Sequence, residues 1–158
     1  MVIYIWLITN VLIEFIQIIS IILLTLSLCV DVKEVDVMKK EEPIRVAHII
    51  GKWLGGGVEA VVMNYYRHID RSKIQFDFLC DEDSTNIPYE EIEQLGGRVI
   101  LIPPYQKVFK YQKELIRIFK EINYKIVHSH INTLSAFPLR AAKKAGVKVR
   151  MAHSHSTT

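Results

Sequence analysis

The tripeptide His-Ser-His occurs twice in the sequence, at residues 128–130 and 153–155, each time after a largely apolar run. In an extended strand, residues i and i+2 point to the same side, so each tripeptide places two imidazoles together. Neutral imidazole donates hydrogen bonds to hydroxyl and phosphate groups or accepts them, and it is also a common metal ligand. The two tripeptides therefore mark a candidate site for a polar ligand.

Four imidazoles could also hold a zinc ion, but zinc sites usually include a carboxylate or a second shell of partners. No acidic residue lies near either tripeptide, so we expect no metal ion. The same lack of an acid argues against a Ser-His-Asp triad built on either serine. We expect His128 and His153 to belong to strands, and His130 and His155 to stand at the strand tips, where they can reach a ligand.

Three consecutive glycines, Gly55 to Gly57, precede a predicted helix. Glycines let the backbone approach a ligand closely, and a helix N-terminus favours an anion. The loop is not a P-loop, because Gly51-Lys52 is not followed by Ser or Thr, and it lacks the G-x-G-x-x-G pattern of dinucleotide-binding domains. Two interpretations remain open, an anion-binding loop and a tight turn without a ligand.

From Ile44 onward, short apolar runs alternate with amphipathic segments, which predicts alternating strands and helices. The runs are apolar nearly throughout, as in strands buried on both faces of a parallel sheet. Right-handed crossovers arrange such strands most simply in the order 3-2-1-4-5, a Rossmann-like, doubly wound α/β sheet. The predicted strands are 44–50, 76–80, 98–102, 125–130 and 147–155, and the predicted helices are 58–69, 88–95, 107–122 and 133–145.

This topology brings the candidate residues to one edge of the sheet. Doubly wound sheets bind ligands outside the carboxyl ends of their strands, where the strand order switches direction. The glycine loop follows the first predicted strand, and the tripeptides end the fourth and the fifth. We therefore expect both tripeptides to face the glycine loop across one crevice.

The composition limits the class of protein. A chain of 158 residues is long enough to fold around one core, and its net charge of +3, without a basic stripe, does not indicate a nucleic-acid partner. The two cysteines form neither a disulfide framework nor a thiolate metal site, which suits a reducing compartment.

Residues 1–30 are strongly apolar and contain one charged side chain, Glu14. A run of this length predicts a transmembrane helix, and the lysines that follow it place the rest of the chain on the cytoplasmic side. In a second interpretation, translation begins at Met38 and the apolar run is a spurious upstream extension, which makes the protein cytoplasmic. Residues 31–43 are predicted to be a charged linker, and residues 44–158 the folded domain.

Three segments carry a resemblance to a known family: IRVAHIIGKWLGGGVEAVVMNYYRHIDRSKIQFDFLC, EEIEQLGGRVILIP and YKIVHSHINTLSAFPLRAAKKAGVKVRMAHSHST. Together they resemble the N-terminal domain of family 4 glycosyltransferases, above all bacterial enzymes of capsular and exopolysaccharide synthesis. The resemblance covers nearly all of residues 44–158. It is specific for the family, though not for the sugar.

The resemblance implies a GT-B fold, in which two Rossmann-like domains face each other across a cleft. The N-terminal domain chiefly holds the acceptor, a glycan or a lipid-linked sugar, and the C-terminal domain holds the nucleotide-sugar donor. Transfer retains the anomeric configuration and needs neither a metal ion nor another cofactor.

The resemblance also assigns individual residues. Gly56, Gly57 and Glu59 match a Gly-Gly-x-Glu loop whose backbone approaches the donor phosphates. His130 matches the histidine that faces the transferred sugar and is the candidate catalytic residue. His155 matches a strand-end histidine that lines the same cleft.

The family pattern continues into a donor domain with paired glutamates, which these 158 residues do not match, so we expect the donor domain to be missing. We therefore expect the acceptor-side half of a glycosyltransferase, inactive by itself. An alternative is a membrane-tethered, non-catalytic binding or assembly module, which could pair with a separately encoded donor domain. A nucleotide-binding domain of another enzyme class is disfavoured by the glycine pattern.

Overall fold

The computed structural model describes residue 14 and residues 16–25 and 42–155, and the chain separates into two compact units, residues 1–41 and 42–158. Residues 16–25 are helical. Among the described residues, no helix has the length and apolar character needed to cross a bilayer. Most of the predicted transmembrane helix and of the predicted linker lies outside the described residues, so both remain predictions.

Residues 42–155 form an α/β fold around one five-stranded sheet, with every strand pair parallel and the strand order β3-β2-β1-β4-β5. The predicted fold class and strand order are therefore confirmed. The strands are β1 (Ile44–Gly51), β2 (Ile74–Asp81), β3 (Arg98–Ile102), β4 (Ile126–Ser129) and β5 (Val149–Ala152). The α-helices are α1 (Gly57–His68), α2 (Tyr89–Gln94), α3 (Val108–Ile122) and α4 (Ala136–Lys144), with a 3-10 turn at Asn132–Ser135.

The helices cover the sheet from both sides because side chains alternate along each strand. On one face, Ala47 and Ile49 of β1 belong to a buried cluster with α3 and α4. On the other face, Val46 and Ile50 pack in a second buried cluster with α1 and α2. Successive side chains of β1 thus pack against different helical layers, and the even-numbered residues of β1 lie on the α1 side.

Two predicted boundaries differ from the structure by three residues, and the others by two or fewer. The fifth strand ends at Ala152 and not at His155, because its neighbour β4 ends at Ser129 and the last pair of the ladder joins these two residues. The predicted helix 133–145 begins as a separate 3-10 turn, and Asn132 at its start has a φ of 50°. Both differences lie at the carboxyl edge of the sheet, where the candidate site is found.

Candidate functional site: a histidine cluster at the switch between β1 and β4

Five of the six histidines lie together on the α1 side of the sheet, where β1 and β4 run side by side. His48 of β1 is in register with His128 of β4. Ring centroids are 4.1 Å apart for the pair His128 and His130, and 4.1 Å apart for the pair His153 and His155. The ring of His128 stacks at 5.5 Å on the ring of His153, which directly follows β5. Both tripeptides therefore contribute to one cluster, as the sequence predicts.

A chain of hydrogen bonds runs through the cluster and passes through His130. Nδ1 of His48 lies 2.9 Å from Nε2 of His130, and Nδ1 of His130 lies 3.0 Å from Nε2 of His155. A neutral imidazole has one donor and one acceptor nitrogen, so the hydrogen bonds of this series can all point in either direction, depending on the tautomers. His130 is held on both sides, which fixes the orientation of its ring.

The backbone around the cluster is equally constrained. The amide of His130 donates to the carbonyl of Ile49 at 2.9 Å, and the amide of His155 donates to Oδ1 of Asn132 at 2.9 Å. Gly51, at the end of β1, has a φ of 77°, and a Cβ there would lie 2.9 Å from Cγ2 of Ile131. Glycine at this position therefore lets the loop after β4 approach the end of β1.

His48 and His130 are each only 4% exposed, so His130 is buried and does not stand free at a strand tip as predicted. Desolvation, reinforced by the neighbouring imidazoles, lowers the pKa of His130 to about 3. Burial likewise lowers the pKa of His48 well below its usual value, and it lowers the pKa of His128 and of His155. At neutral pH these four rings are uncharged, so they act through lone pairs and N–H groups and not as cations.

The cluster forms one wall of a cavity of about 260 Å³. The remaining wall is apolar and is built by α1 and the start of β2, with the side chains Val61, Val62, Tyr65, Ile69 and Phe76. A ligand here would meet imidazole rings on one side and hydrocarbon on the other, with little polar surface facing it. A polar group would reach a ring nitrogen of His130 only by displacing one of its two hydrogen-bond partners.

The glycine loop lies at a different cavity, of about 210 Å³, which shares no lining residue with the histidine cavity. Both Gly56 and Glu59 line it, and Oε1 of Glu59 accepts a hydrogen bond from the amide of Leu54 at 3.0 Å. Glu59 is buried, and its carboxylate closes the loop on itself. A Cβ on Gly56 would lie 3.1 Å from Oε2 of Glu59, whereas a Cβ on Gly57 would meet nothing within 4 Å.

The structure thus joins two of the five predicted site residues, His130 and His155, directly. The other three, Gly56, Gly57 and Glu59, belong to the loop at the N-terminus of α1, away from the histidine cavity. The residues of α1 that line the two cavities differ: Val61, Val62 and Tyr65 on one side, and Glu59, Ala60, Met63 and Arg67 on the other. The single crevice that the sequence predicts is therefore two cavities.

His48 is the site residue that sequence reasoning missed. In the sequence it stands within the apolar run of β1, yet in the structure it is the buried end of the hydrogen-bond chain. Two features of the sequence could have identified it. His48 alternates with Val46 and Ile50, so its side chain lies on the same face of β1 as theirs. It also lies beside His128 when β1 and β4 are placed as neighbours. The predicted strand order was sufficient to bring the two together.

Comparison with known proteins gives consistent results. The family Glycosyltransferase Family 4 matches residues 55–158. EpsF of Bacillus subtilis (strain 168), a protein assigned as a glycosyltransferase, is 38% identical over an alignment of 117 residues, and the match covers 72% of this chain and 30% of EpsF. The solved structure of MurG from Acinetobacter baumannii superimposes with a TM-score of 0.54 at 14% identity, over 71% of this chain and 35% of MurG.

The chain thus spans about a third of the length of these two relatives. At 14% identity, the likeness to MurG supports the fold alone, the Rossmann-like sheet predicted for one half of a GT-B enzyme. The family match covers more than half of the chain, including the glycine loop and both His-Ser-His tripeptides. The chain belongs to glycosyltransferase family 4.

Proposed function

We propose that this chain is the acceptor-side domain of a retaining glycosyltransferase of polysaccharide biosynthesis. The enzyme transfers a sugar from a nucleotide-sugar donor to a glycan or a lipid-linked acceptor. The observation that carries the proposal is His130, the residue that the family resemblance assigns to the transferred sugar. It is buried at the end of β4 and held by hydrogen bonds on both sides.

His130 acts in this proposal by positioning the sugar. A group whose pKa is about 3 is a poor general acid or base at neutral pH, because proton transfer works best near the working pH. A neutral ring in a fixed orientation instead exchanges hydrogen bonds with a sugar hydroxyl. His48 keeps Nε2 occupied, so a sugar hydroxyl reaches Nδ1 by replacing His155, the most exposed member of the hydrogen-bond chain.

The glycine loop has the second role, at the donor phosphates. Gly56 is the N-cap residue of α1, and no side chain caps this helix end by a hydrogen bond. The free amide groups and the dipole of a twelve-residue helix favour an anion at this point. Glu59 supports the loop from within through the amide of Leu54.

Transfer also needs a group that stabilises the departing nucleoside diphosphate, which we assign to a second domain. This chain alone is therefore expected to bind acceptor and leave nucleotide sugars intact. A chimera tests this: residues 42–158 replace the matching segment of EpsF, and release of nucleoside diphosphate from a panel of nucleotide sugars is measured. The chimera is expected to release nucleoside diphosphate from at least one donor, while the chain alone releases none.

Two controls make the result decisive. EpsF itself, assayed with the same panel, identifies the donor and gives the reference rate. A folded chimera that stays inactive where EpsF turns over would contradict the proposal. Turnover by the chain alone would show that no second domain is required.

A further inference from the structure

Three histidines of the cluster meet the geometric requirement for a metal ion. His48, His128 and His130 each offer one ring nitrogen, and these nitrogens all lie within 4.8 Å of one another. A tetrahedral zinc ion with ligands at 2.0–2.1 Å holds its nitrogens about 3.3 Å apart. The separation of 2.9 Å between Nδ1 of His48 and Nε2 of His130 is already on this scale.

The chemistry of the site selects the type of metal. The ligands are three neutral imidazoles on an apolar background, and the candidate group contains no carboxylate. Imidazole suits zinc, copper, nickel and cobalt, whereas magnesium and calcium require oxygen ligands. Each neutral imidazole offers one unprotonated ring nitrogen as a ligand.

The cluster itself supplies the second shell, although no acidic residue lies near either tripeptide in the sequence. Metal-bound histidines usually donate their other N–H to a fixed partner. A metal ion on Nε2 of His130 places the proton on Nδ1, which lies 3.0 Å from Nε2 of His155. The ion would therefore set the direction of the hydrogen-bond chain and leave the outer nitrogen of His130 facing the ligand side.

His48 supplies the nitrogen that faces His130. Its Nδ1 lies 2.9 Å from Nε2 of His130, so the two nitrogens that now share a hydrogen bond would share the ion. His48, His128 and His130 all line the histidine cavity.

We propose that His48, His128 and His130 form a binding site for one divalent transition-metal ion, with zinc as the best fit. The ion takes no part in sugar transfer and holds the ring of His130 in place. This inference goes beyond the proposed function, and it can be tested by metal binding without any transfer assay. A negative result for metal binding therefore does not contradict the proposed function, and an inactive chimera does not contradict the metal site.

The test uses the full chain without a histidine tag, stripped of metal and titrated with Zn²⁺ by calorimetry and with Co²⁺ by visible absorption. We expect one ion per chain and the intense visible bands of tetrahedral Co²⁺. His128→Ala should weaken binding at least about tenfold, since even losses in the second shell of a metal site cost this much. His128→Asn serves as a second variant if the alanine form does not fold.

The matched control is His68→Ala, because His68 is the one histidine outside the cluster and lies exposed on α1. Its loss should leave the affinity unchanged. His153→Ala tests the outer group of His130, His153 and His155, which also meets the distance requirement. The proposal is overturned by non-saturable binding, by equal losses in the His68 and His128 variants, or by a loss confined to the His153 variant.

Discussion

Asp81 is the last residue of β2, and its side chain is buried. The described residues form no ion pair with it. Desolvation, with a contribution from Asp83, raises the pKa of its carboxyl group to about 6. Because the folded state binds this proton more tightly than the unfolded state does, the native state loses stability as pH rises from about 4 to about 6. At neutral pH the charged carboxylate is therefore a net cost to folding.

Replacing Asp81 with asparagine should remove this cost. We expect Asp81→Asn to raise the free energy of unfolding at pH 7.5 by about 1–2 kcal/mol, and to have little effect near pH 4, where the carboxyl is already protonated. Urea denaturation of both proteins at the two pH values measures the difference. A variant that is equally stable or less stable at pH 7.5 would show that the carboxylate makes a favourable contact there.

At the scale of the elements, one buried polar network ties β1, β2 and the end of α3 together. The carboxylate of Asp77, which is fully buried in β2, forms an ion pair with Arg45 of β1. Its other oxygen accepts a hydrogen bond from the hydroxyl of Tyr124 at 2.6 Å, and Nη2 of Arg45 also donates to the carbonyl of Gly96 at 3.3 Å. Asp77 alternates with Phe76 and Phe78 along β2, and Tyr124 belongs to the cluster on the α3 side, so the network lies on the opposite face of the sheet from His48 and has a structural role.

Removal of the shared carboxylate should be far more harmful than removal of one donor. Asp77→Ala is expected to lower the free energy of unfolding by about 3–4 kcal/mol, because it leaves Arg45 without its buried partner. Tyr124→Phe removes a single hydrogen bond and should cost about 1 kcal/mol. Equal losses in the two variants, measured by thermal or urea denaturation, would mean that the ion pair contributes nothing beyond the hydrogen bond to Tyr124.

The elements were largely predictable, because their apolar runs and turn residues are local signals. The range 98–102 for β3 and the strand order were both predicted correctly. The details at the carboxyl edge were not, since they depend on which neighbour a residue meets. The end of β5 is set by the length of β4, and the burial of His130 is set by contacts with His48 and His155, which come from other strands or from beyond them.

At the scale of the whole molecule, helix α1 separates the two halves of the candidate site. Its N-terminus carries the glycine loop, and its Val61, Val62 and Tyr65 form a wall of the histidine cavity. A nucleotide sugar that used both would place its phosphates at the N-terminus of α1 and its sugar toward His130. The separation of the two cavities is thus compatible with one extended ligand, whose remaining contacts we assign to a second domain.

The most direct measurement is the rate of nucleoside diphosphate release by the chimera with EpsF, comparing His130→Ala with His68→Ala in the presence of a chelator. The chelator ensures that any loss does not arise from a bound metal ion, and thermal denaturation checks that both variants fold. We predict that His130→Ala lowers the rate about a hundredfold, as loss of one well-placed hydrogen-bonding group does, while His68→Ala leaves it unchanged. A folded His130→Ala chimera with the unaltered rate would contradict the assignment of the histidine cluster to the transferred sugar.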